Sequence, residues 1–147
     1  MRKEGIKMKE IKLFSTGLPE EAKQIRTAVF VDEQGFREEF DETDDISIHA
    51  VLFIDGKAAG TARMFTENGG ESYHIGRMAV LKEYRKSGLG SDIMNALCEK
   101  AKELGAKGCE LSAQCRAQGF YEKLGFAAGG NIYLDENCPH IYMKKAL

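Results

Sequence analysis

Residues 76–104 read GRMAVLKEYRKSGLGSDIMNALCEKAKEL, and this stretch decides the fold. Its second half carries apolar residues four, four, four and three positions apart, which is the spacing of one helix face: Leu89, Ile93, Leu97, Ala101 and Leu104. Gly105 follows where a glycine commonly ends a helix. The first five residues of the stretch, 76–80, complete a segment, 72–80, that is typical of a strand. The stretch therefore predicts a strand, a glycine turn and a long amphipathic helix.

The turn itself, Arg85-Lys86-Ser87-Gly88-Leu89-Gly90, has the features of an anion site. Gly88 and Gly90 lack a Cβ, so the backbone can take positive φ and approach a ligand closely. The amides and dipole of a helix N-terminus attract an anion, and Arg85 and Lys86 add two cations. The combination favours a diphosphate, although the spacing matches neither G-x-x-x-x-G-K-[ST] nor G-x-G-x-x-G. The alternative is a glycine-rich connection before an ordinary helix.

The rest of the chain predicts one domain over residues 1–147, with a loose tail at about 1–9 and no interdomain linker. Alternating or apolar runs predict strands near residues 11–13, 48–54, 58–65, 72–80, 109–113, 132–134 and 141–143. Turns are expected at Asp55-Gly56, at Asn68-Gly69-Gly70 and around Pro139. Helices are predicted at 19–33 and 117–124, and the acidic segment 37–45 is expected to be a loop or a short helix.

Composition narrows the class of protein. The 147 residues include 21 basic and 23 acidic side chains, so a net charge of −2 gives no general attraction to nucleic acid or to an anionic membrane. No apolar run is long enough to span a bilayer. Four cysteines occur without a C-x-x-C pair. We therefore expect a soluble cytoplasmic protein with free thiols.

At this point the sequence resembles the GNAT acyltransferase superfamily, whose coenzyme A turn has the form [RQ]-x-x-G-x-[GA]. Arg85, Gly88 and Gly90 match it, and Leu111–Phe126 resembles a second family block. Segments 26–34, 39–41 and 139–143 are similar to bacterial ElaA and YjcF-like predicted acetyltransferases. The resemblance implies an α/β (α+β) fold with a mixed, mostly antiparallel sheet of about six or seven strands flanked by about four helices.

The resemblance also implies a site for acetyl-CoA as co-substrate, without a metal. Backbone groups of residues 78–80 would pair with the pantetheine arm, and amides of residues 86–91 would receive the diphosphate. The implied cofactor-binding residues are Met78, Ala79, Val80, Arg85, Lys86, Ser87, Gly88, Leu89, Gly90, Ser91, Gln114, Ala117, Phe120 and Tyr121. Gln114 stands where many members have Asn.

Acyl transfer to an amine needs a base, stabilisation of an oxyanion and a proton for the leaving thiolate. By resemblance, Tyr121 lies near the cofactor sulfur and is the candidate acid; the alternative is an aromatic residue packed on the sheet. Glu33 ranks first as base, ahead of the three histidines or a water chain, and His49 reads as a structural histidine. A covalent mechanism on Cys115 or Cys138 lacks an identifiable paired base.

Other functions stay open. Arg26, Phe30, Glu33, Asp41, Asp44 and Arg63 resemble acyl-homoserine lactone synthases, and a non-catalytic module that binds acetyl-CoA needs only the turn. The acceptor is expected to be a small-molecule or peptide amine, and acidic residues 38–45 could attract it or simply form a solvated face. Exposed strand edges are compatible with a homodimer.

Overall fold

The structure, a computed structural model, describes residues 8–36, 40–135 and 137–147. The chain forms two compact units. The first comprises the described residues up to Arg63 together with Arg77–Met94, and the second comprises Met64–Gly76 and Asn95–Leu147. Strands β3 (Lys57–Phe65) and β4 (Ser72–Val80) and helix α3 (Leu89–Glu103) contribute residues to both.

The remaining elements of the first unit lie before residue 63 or between β4 and α3. They are β1 (Lys9–Phe14), α1 (Glu20–Arg26), a π-helix (Thr27–Glu33), α2 (Thr43–Ile46), β2 (Ile48–Ile54) and a 3-10 turn (Lys82–Tyr84). β1 pairs antiparallel with β2, from Lys9 opposite Ile54 to Phe14 opposite His49. Strands 48–54 and 57–65 are joined as predicted, since Asp55 and Gly56 have φ of 49° and 84°, the positive pair that a two-residue hairpin favours.

The second unit is completed by β5 (Gly108–Gln114), a 3-10 turn (Cys115–Ala117), α4 (Gln118–Lys123), β6 (Ala127–Asp135) and β7 (Cys138–Ala146). β4 pairs with β5 in parallel, whereas β5 pairs with β7 and β7 with β6 in antiparallel fashion. The full strand order is β1-β2-β3-β4-β5-β7-β6. Within the described residues the sheet is mixed and has seven strands, with four α-helices, which is the fold that the family resemblance implies.

The predicted helix 19–33 changes character halfway. α-Helical hydrogen bonding ends at Arg26, and residues 27–33 form a π-helix whose last bond runs from the Gln34 amide to the Val29 carbonyl at 3.0 Å. The apolar stripe survives this change and packs with β2 and the end of β4 in one buried cluster: Ala22, Ile25, Val29, Phe30, Val51 and Ala79. π-Helical turns are rare and occur often at functional sites.

The last hairpin corrects the sequence prediction. Pro139 does not make the turn, because it lies inside β7 opposite Leu134, and the chain reverses beside Asn137 at φ 65°. β6 also begins at Ala127, five residues before the predicted start. Its glycine-rich first half has little strand propensity of its own and is held by pairing with β7.

The tail expected at 1–9 overlaps residues 1–7, which lie outside the described residues, and β1 begins at Lys9. The single domain over residues 1–147 stays a prediction. In the part of the chain that the structure describes, no helix is both long and apolar enough to cross a membrane.

Candidate active site

The end of β4 has an irregular backbone. Its parallel ladder with β5 covers Ser72–Ile75, and Arg77 then adopts a φ of 52°, which is uncommon for a residue with a Cβ inside a strand. Such a residue bends a strand and interrupts its pairing, as in a β-bulge. Residues 78–80, the segment expected to pair with pantetheine, follow immediately and lie beyond that ladder.

A close backbone approach supports this strand end. A Cβ built on Gly60 of β3 would lie 2.8 Å from the Ile93 Cδ1 atom and 3.3 Å from the Ala79 carbonyl oxygen. A side chain at this position would displace the Ile93 Cδ1 atom and crowd the Ala79 carbonyl, so glycine allows the closest packing here. Ile93, in the second turn of α3, therefore packs directly on Gly60 of β3.

The glycine turn has the backbone geometry of an anion cradle. Lys86 and Gly88 have φ of 71° and 76°, and Leu89 is buried, which anchors the turn in the first unit. The amide of Asp92 donates to the Gly88 carbonyl at 3.2 Å at the start of α3. The amides just before Asp92 therefore belong to the helix N-terminus, where backbone donors point out of the helix.

Arg85 and Glu33, predicted separately as a cofactor contact and as the base, form an ion pair. Arg85 Nη1 and Nη2 donate to the two Glu33 carboxylate oxygens at 2.6 and 2.7 Å, and Arg85 Nε donates to the Val80 carbonyl at 2.9 Å. The hydrogen bond to Glu33 raises the pKa of Arg85. Both side chains are more than a third exposed, at 37% and 39%. A proton-accepting role for Glu33 therefore requires this pair to open.

An open groove of about 290 Å³ lies beside that pair, between the π-helix and the residues that follow β4. Ala28, Val29 and Leu81 give it an apolar floor. The other lining residues are charged, three acidic and one basic: Asp32, Glu33, Glu83 and Lys82. The groove therefore has room for a small ligand and an excess of negative charge.

The first unit also contains a network of charged side chains that runs from buried to exposed positions. Arg26 and Asp44 are 1% and 3% exposed and form a two-point ion pair at 2.7 and 3.2 Å. Arg63 Nη1 donates both to Asp44 Oδ1 and to Asp41 Oδ1 at 2.7 Å, and Arg77 Nη2 lies 3.4 Å from Asp41 Oδ2. We call Arg26, Asp44, Arg63, Asp41 and Arg77 the charge chain.

The charge chain shifts the pKa values of its members. Burial raises the pKa of Asp44, but hydrogen bonds and charges from Arg26 and Arg63 outweigh that effect and lower it to about 2. The Arg63 hydrogen bond likewise holds the pKa of Asp41 below its usual value. Both carboxylates are therefore ionised at neutral pH.

Sequence reasoning treated residues 38–45 as a solvated face or as a surface that attracts the acceptor, and the structure changes that interpretation for Asp44. Glu38 and Glu39 lie outside the described residues, whereas Asp44 is a core residue. A signal was present, because Arg26 falls four residues after Ala22 on the buried stripe of its helix. A buried arginine needs an acidic partner.

His49 is buried and within hydrogen-bond distance of a backbone carbonyl, the environment that the sequence predicted for it. Its ring is fully buried, and Nε2 lies 2.8 Å from the Asp44 carbonyl oxygen. Burial lowers the pKa of His49, so the ring is neutral and Nε2 is the donor. Among the described residues, Nδ1 has no hydrogen-bond partner. His49 therefore supports the segment that carries Asp44.

In the second unit, Tyr121 lies in α4 between two aromatic neighbours. Its ring meets those of Phe120 and Phe126 edge-on, with centroids 5.0 and 6.1 Å apart. Burial raises the pKa of Tyr121 to about 12, so the hydroxyl keeps its proton at neutral pH. Gln114 ends β5, and Ala117 ends the 3-10 turn before α4. Both the packing role and the acid role are compatible with this position.

The other candidates have local partners in the second unit. His74 Nδ1 is 3.7 Å from Glu110 Oε1, and its ring packs on Phe65. His140 Nδ1 lies 2.7 Å from the Cys138 carbonyl oxygen. Cys115 and Cys138 are free, half-buried thiols. Within residues 8–36, 40–135 and 137–147, no group of three or more acidic, histidine or cysteine side chains is arranged to hold a metal ion.

Comparison with known proteins identifies the class. A family model described as an acetyltransferase (GNAT) domain matches residues 16–147. The uncharacterized N-acetyltransferase YjcF of Bacillus subtilis is 37% identical over 124 residues, which cover 82% of this chain and 87% of YjcF. The chain therefore belongs to the GNAT acetyltransferase family, as the sequence blocks indicated.

Solved structures agree with this assignment. An acyl-CoA N-acyltransferase from Pseudomonas aeruginosa is 27% identical, with a TM-score of 0.83 over 95% of this chain and 100% of that one. Escherichia coli ElaA is 26% identical, with a TM-score of 0.82 over 94% and 99% of the two chains. The acyl-homoserine lactone synthase BjaI, solved with SAM and isopentyl-CoA, is 16% identical, with a TM-score of 0.75 over 86% and 74% of the two chains. The last likeness shows the fold alone.

Proposed function

We propose that the protein transfers an acetyl group from acetyl-CoA to a primary amine by direct attack in a ternary complex. The observation that carries this proposal is the backbone of residues 77–92, where an irregular strand end leads through a turn with two positive φ values into the N-terminus of a long helix. Membership of an acetyltransferase family makes the thioester of coenzyme A the natural ligand for that geometry.

In this proposal, the cofactor follows the chain from strand to turn. Backbone groups of residues 78–80 hold the pantetheine arm, and amides between Lys86 and Ser91 bind the diphosphate, with Lys86 as the nearby cation. The Arg85 side chain braces the turn, because it hydrogen-bonds to the Val80 carbonyl and forms an ion pair with Glu33. The contacts given to Gln114, Ala117 and Phe120 rest on the family resemblance.

An acceptor that arrives as an ammonium ion first releases one proton to solvent, and two further proton transfers then accompany acyl transfer. The amine nitrogen attacks the thioester carbonyl carbon, and a backbone amide near Val80 stabilises the tetrahedral oxyanion. The C–S bond then breaks, and Tyr121 donates its proton to the coenzyme A thiolate. The amine gives up a proton to water or to Glu33 once the ion pair with Arg85 has opened. Amide and free coenzyme A leave, and the lost amine proton restores Tyr121 through solvent.

The groove beside Glu33 favours a cationic amine as acceptor. Three carboxylates and one ammonium group surround an apolar floor, which suits an alkylammonium group on a short hydrocarbon stem. The four free thiols support a cytoplasmic location as part of the same proposal, because disulfides persist in oxidising compartments.

The first test is calorimetric titration of acetyl-CoA into the wild type and into a Gly88→Asp, Gly90→Asp double variant. The added carboxylates block and repel the diphosphate, so we expect saturable binding that the double variant loses. Circular dichroism confirms that the variant is folded. A millimolar dissociation constant is weak for a specific site. If the wild type does not bind acetyl-CoA even at about millimolar concentration, the proposal is wrong.

A second measurement separates the rival functions. An amine screen that follows release of coenzyme A tests for turnover, with Tyr121→Phe as the control for background thioester hydrolysis. Binding without turnover on any amine would favour a non-catalytic acetyl-CoA module. Turnover only with an acyl carrier and S-adenosylmethionine would favour an acyl-homoserine lactone synthase. The sequence raised that alternative through Arg26, Asp41, Asp44 and Arg63.

A further inference from the structure

We propose that Asp41 is a positioning residue for the cofactor strand, because its carboxylate ties the strained residue Arg77 to the buried part of the charge chain. This inference rests on the proposed function, since it assigns a purpose to the strand end at residues 78–80. Asp41 itself is not placed against the reacting atoms.

The bridge runs from the core to the surface. Asp44, buried with Arg26, shares Arg63 with Asp41, and Asp41 accepts hydrogen bonds from Arg63 at 2.7 and 3.4 Å. The second Asp41 oxygen also accepts from Arg77 Nη2 at 3.4 Å. The Asp44 side chain is 4% exposed, whereas those of Asp41 and Arg77 are 42% and 32% exposed. The charge chain therefore links Arg77 at the surface to Asp44 in the core.

Asp41 is itself held in place by the backbone. Its amide donates to Asp44 Oδ2 at 3.2 Å, and the Asp44 amide donates to the Asp41 carbonyl at 3.1 Å. Asp41 therefore cannot follow a movement of Arg77 without disturbing Asp44. A carboxylate on a flexible loop would have no such effect.

Arg77 is the residue at which an anchor matters. It takes a φ of 52° two residues after the ladder with β5 stops at Ile75, and the proposed pantetheine-binding residues follow at once. A residue with a Cβ stays in this region only when its surroundings over-determine it. Its ion pair with Asp41 is one such determinant. Loss of the Asp41 charge is expected to loosen residues 78–80 and leave the glycine turn unchanged.

Removal of Asp41 does not remove the network. Arg63 keeps its 2.7 Å hydrogen bond to Asp44, so the buried arginine stays paired in an Asp41→Asn variant. Asp45 provides a matched control, because it lies in α2, close to Asp41 in sequence, is exposed and bears the same charge. Asp45→Asn therefore reproduces the change in net charge without altering the bridge to Arg77.

Two ligands distinguish an effect on residues 78–80 from an effect on the glycine turn. In the proposed complex acetyl-CoA contacts both segments, whereas adenosine 3′,5′-bisphosphate lacks pantetheine and does not contact residues 78–80. For Asp41→Asn we expect acetyl-CoA to bind about fivefold more weakly, the upper range for one partly exposed ion pair. The bisphosphate is expected to bind with unchanged affinity. Asp41→Glu should recover part of the loss, and Asp45→Asn should match the wild type for both ligands.

Amide hydrogen exchange in the cofactor-free protein provides a readout that does not depend on binding. Residues 78–80 are expected to exchange faster in Asp41→Asn than in Asp45→Asn, while residues 48–54 of β2 exchange equally. Equal weakening of both probes, or identical exchange in the two variants, would overturn the positioning role. If the wild type fails to bind acetyl-CoA, the proposed function fails, and the exchange data alone still decide whether Asp41 holds the strand.

Discussion

The buried carboxylate of Asp44 should be a main determinant of stability. It is 3% exposed and receives hydrogen bonds from Arg26 at 2.7 and 3.2 Å and from Arg63 at 2.7 Å. An Asp44→Asn substitution keeps the shape but removes the carboxylate charge that the buried Arg26 and Arg63 side chains share. Removal of one member of a buried pair typically lowers the free energy of unfolding by about 3–5 kcal/mol. We expect a loss in that range at neutral pH.

The pH dependence of stability gives a second estimate of how much the Asp44 carboxylate contributes to the free energy of unfolding. The pKa of Asp44 lies at about 2 against an ordinary value of 3.8, which corresponds to roughly 2 kcal/mol of the free energy of unfolding. Because the folded-state pKa is the lower one, this contribution is fully present above about pH 4. It is lost as the pH falls from about 4 toward 2. The stability difference between wild type and Asp44→Asn should therefore shrink over that interval.

Urea titrations followed by circular dichroism, at neutral pH and at intervals between about pH 4 and pH 2, measure both quantities. Asp45→Asn is the control, since a surface change of the same charge should alter the free energy of unfolding by less than about 0.5 kcal/mol. A loss of under 1 kcal/mol for Asp44→Asn at neutral pH would refute the reasoning. A difference from wild type that stays constant down to about pH 2 would refute it as well.

Three further predictions concern the strand end and the chemistry. Tyr121→Phe should lower turnover by roughly 10² to 10⁴ with little change in acetyl-CoA affinity; because the pKa of Tyr121 is about 12, a rate profile should show no loss from its ionisation below about pH 10. Gly60→Ala should lower the free energy of unfolding by about 1–3 kcal/mol in urea titrations, since the new Cβ would lie 2.8 Å from Ile93. Glu33→Gln should remove the charge that holds Arg85, loosen the turn that Arg85 braces and weaken calorimetric acetyl-CoA binding by about fivefold or less. Tighter binding would show that Arg85 acts on the diphosphate and not as a brace.

Local chemistry explains what could be predicted from the sequence. The spacing of apolar residues predicts α3, Asp55-Gly56 predicts a hairpin, and the glycines of residues 85–90 predict a turn that opens a helix. Each of these features depends on residues within a few positions of one another. The family assignment was within reach for the same reason, because its motifs are short and contiguous.

The arrangement of charges depended on the tertiary structure. Arg85 reads as a cation for a diphosphate, yet it binds a carboxylate 52 positions away in sequence. Asp44 reads as one of several acidic surface residues, yet it lies in the core because Arg26 and Arg63 come from elements that fold around it.

The sequence by itself therefore determined the order of the elements, the class of protein and the position of the glycine turn. Only the tertiary structure decided that Arg85 and Glu33 pair, that residues 27–33 form a π-helix, and that β6 extends over nine residues. The physical reason is that a periodic pattern or a turn is a local property of the backbone. The partner of a charge or of a strand edge is selected only when distant segments are packed together.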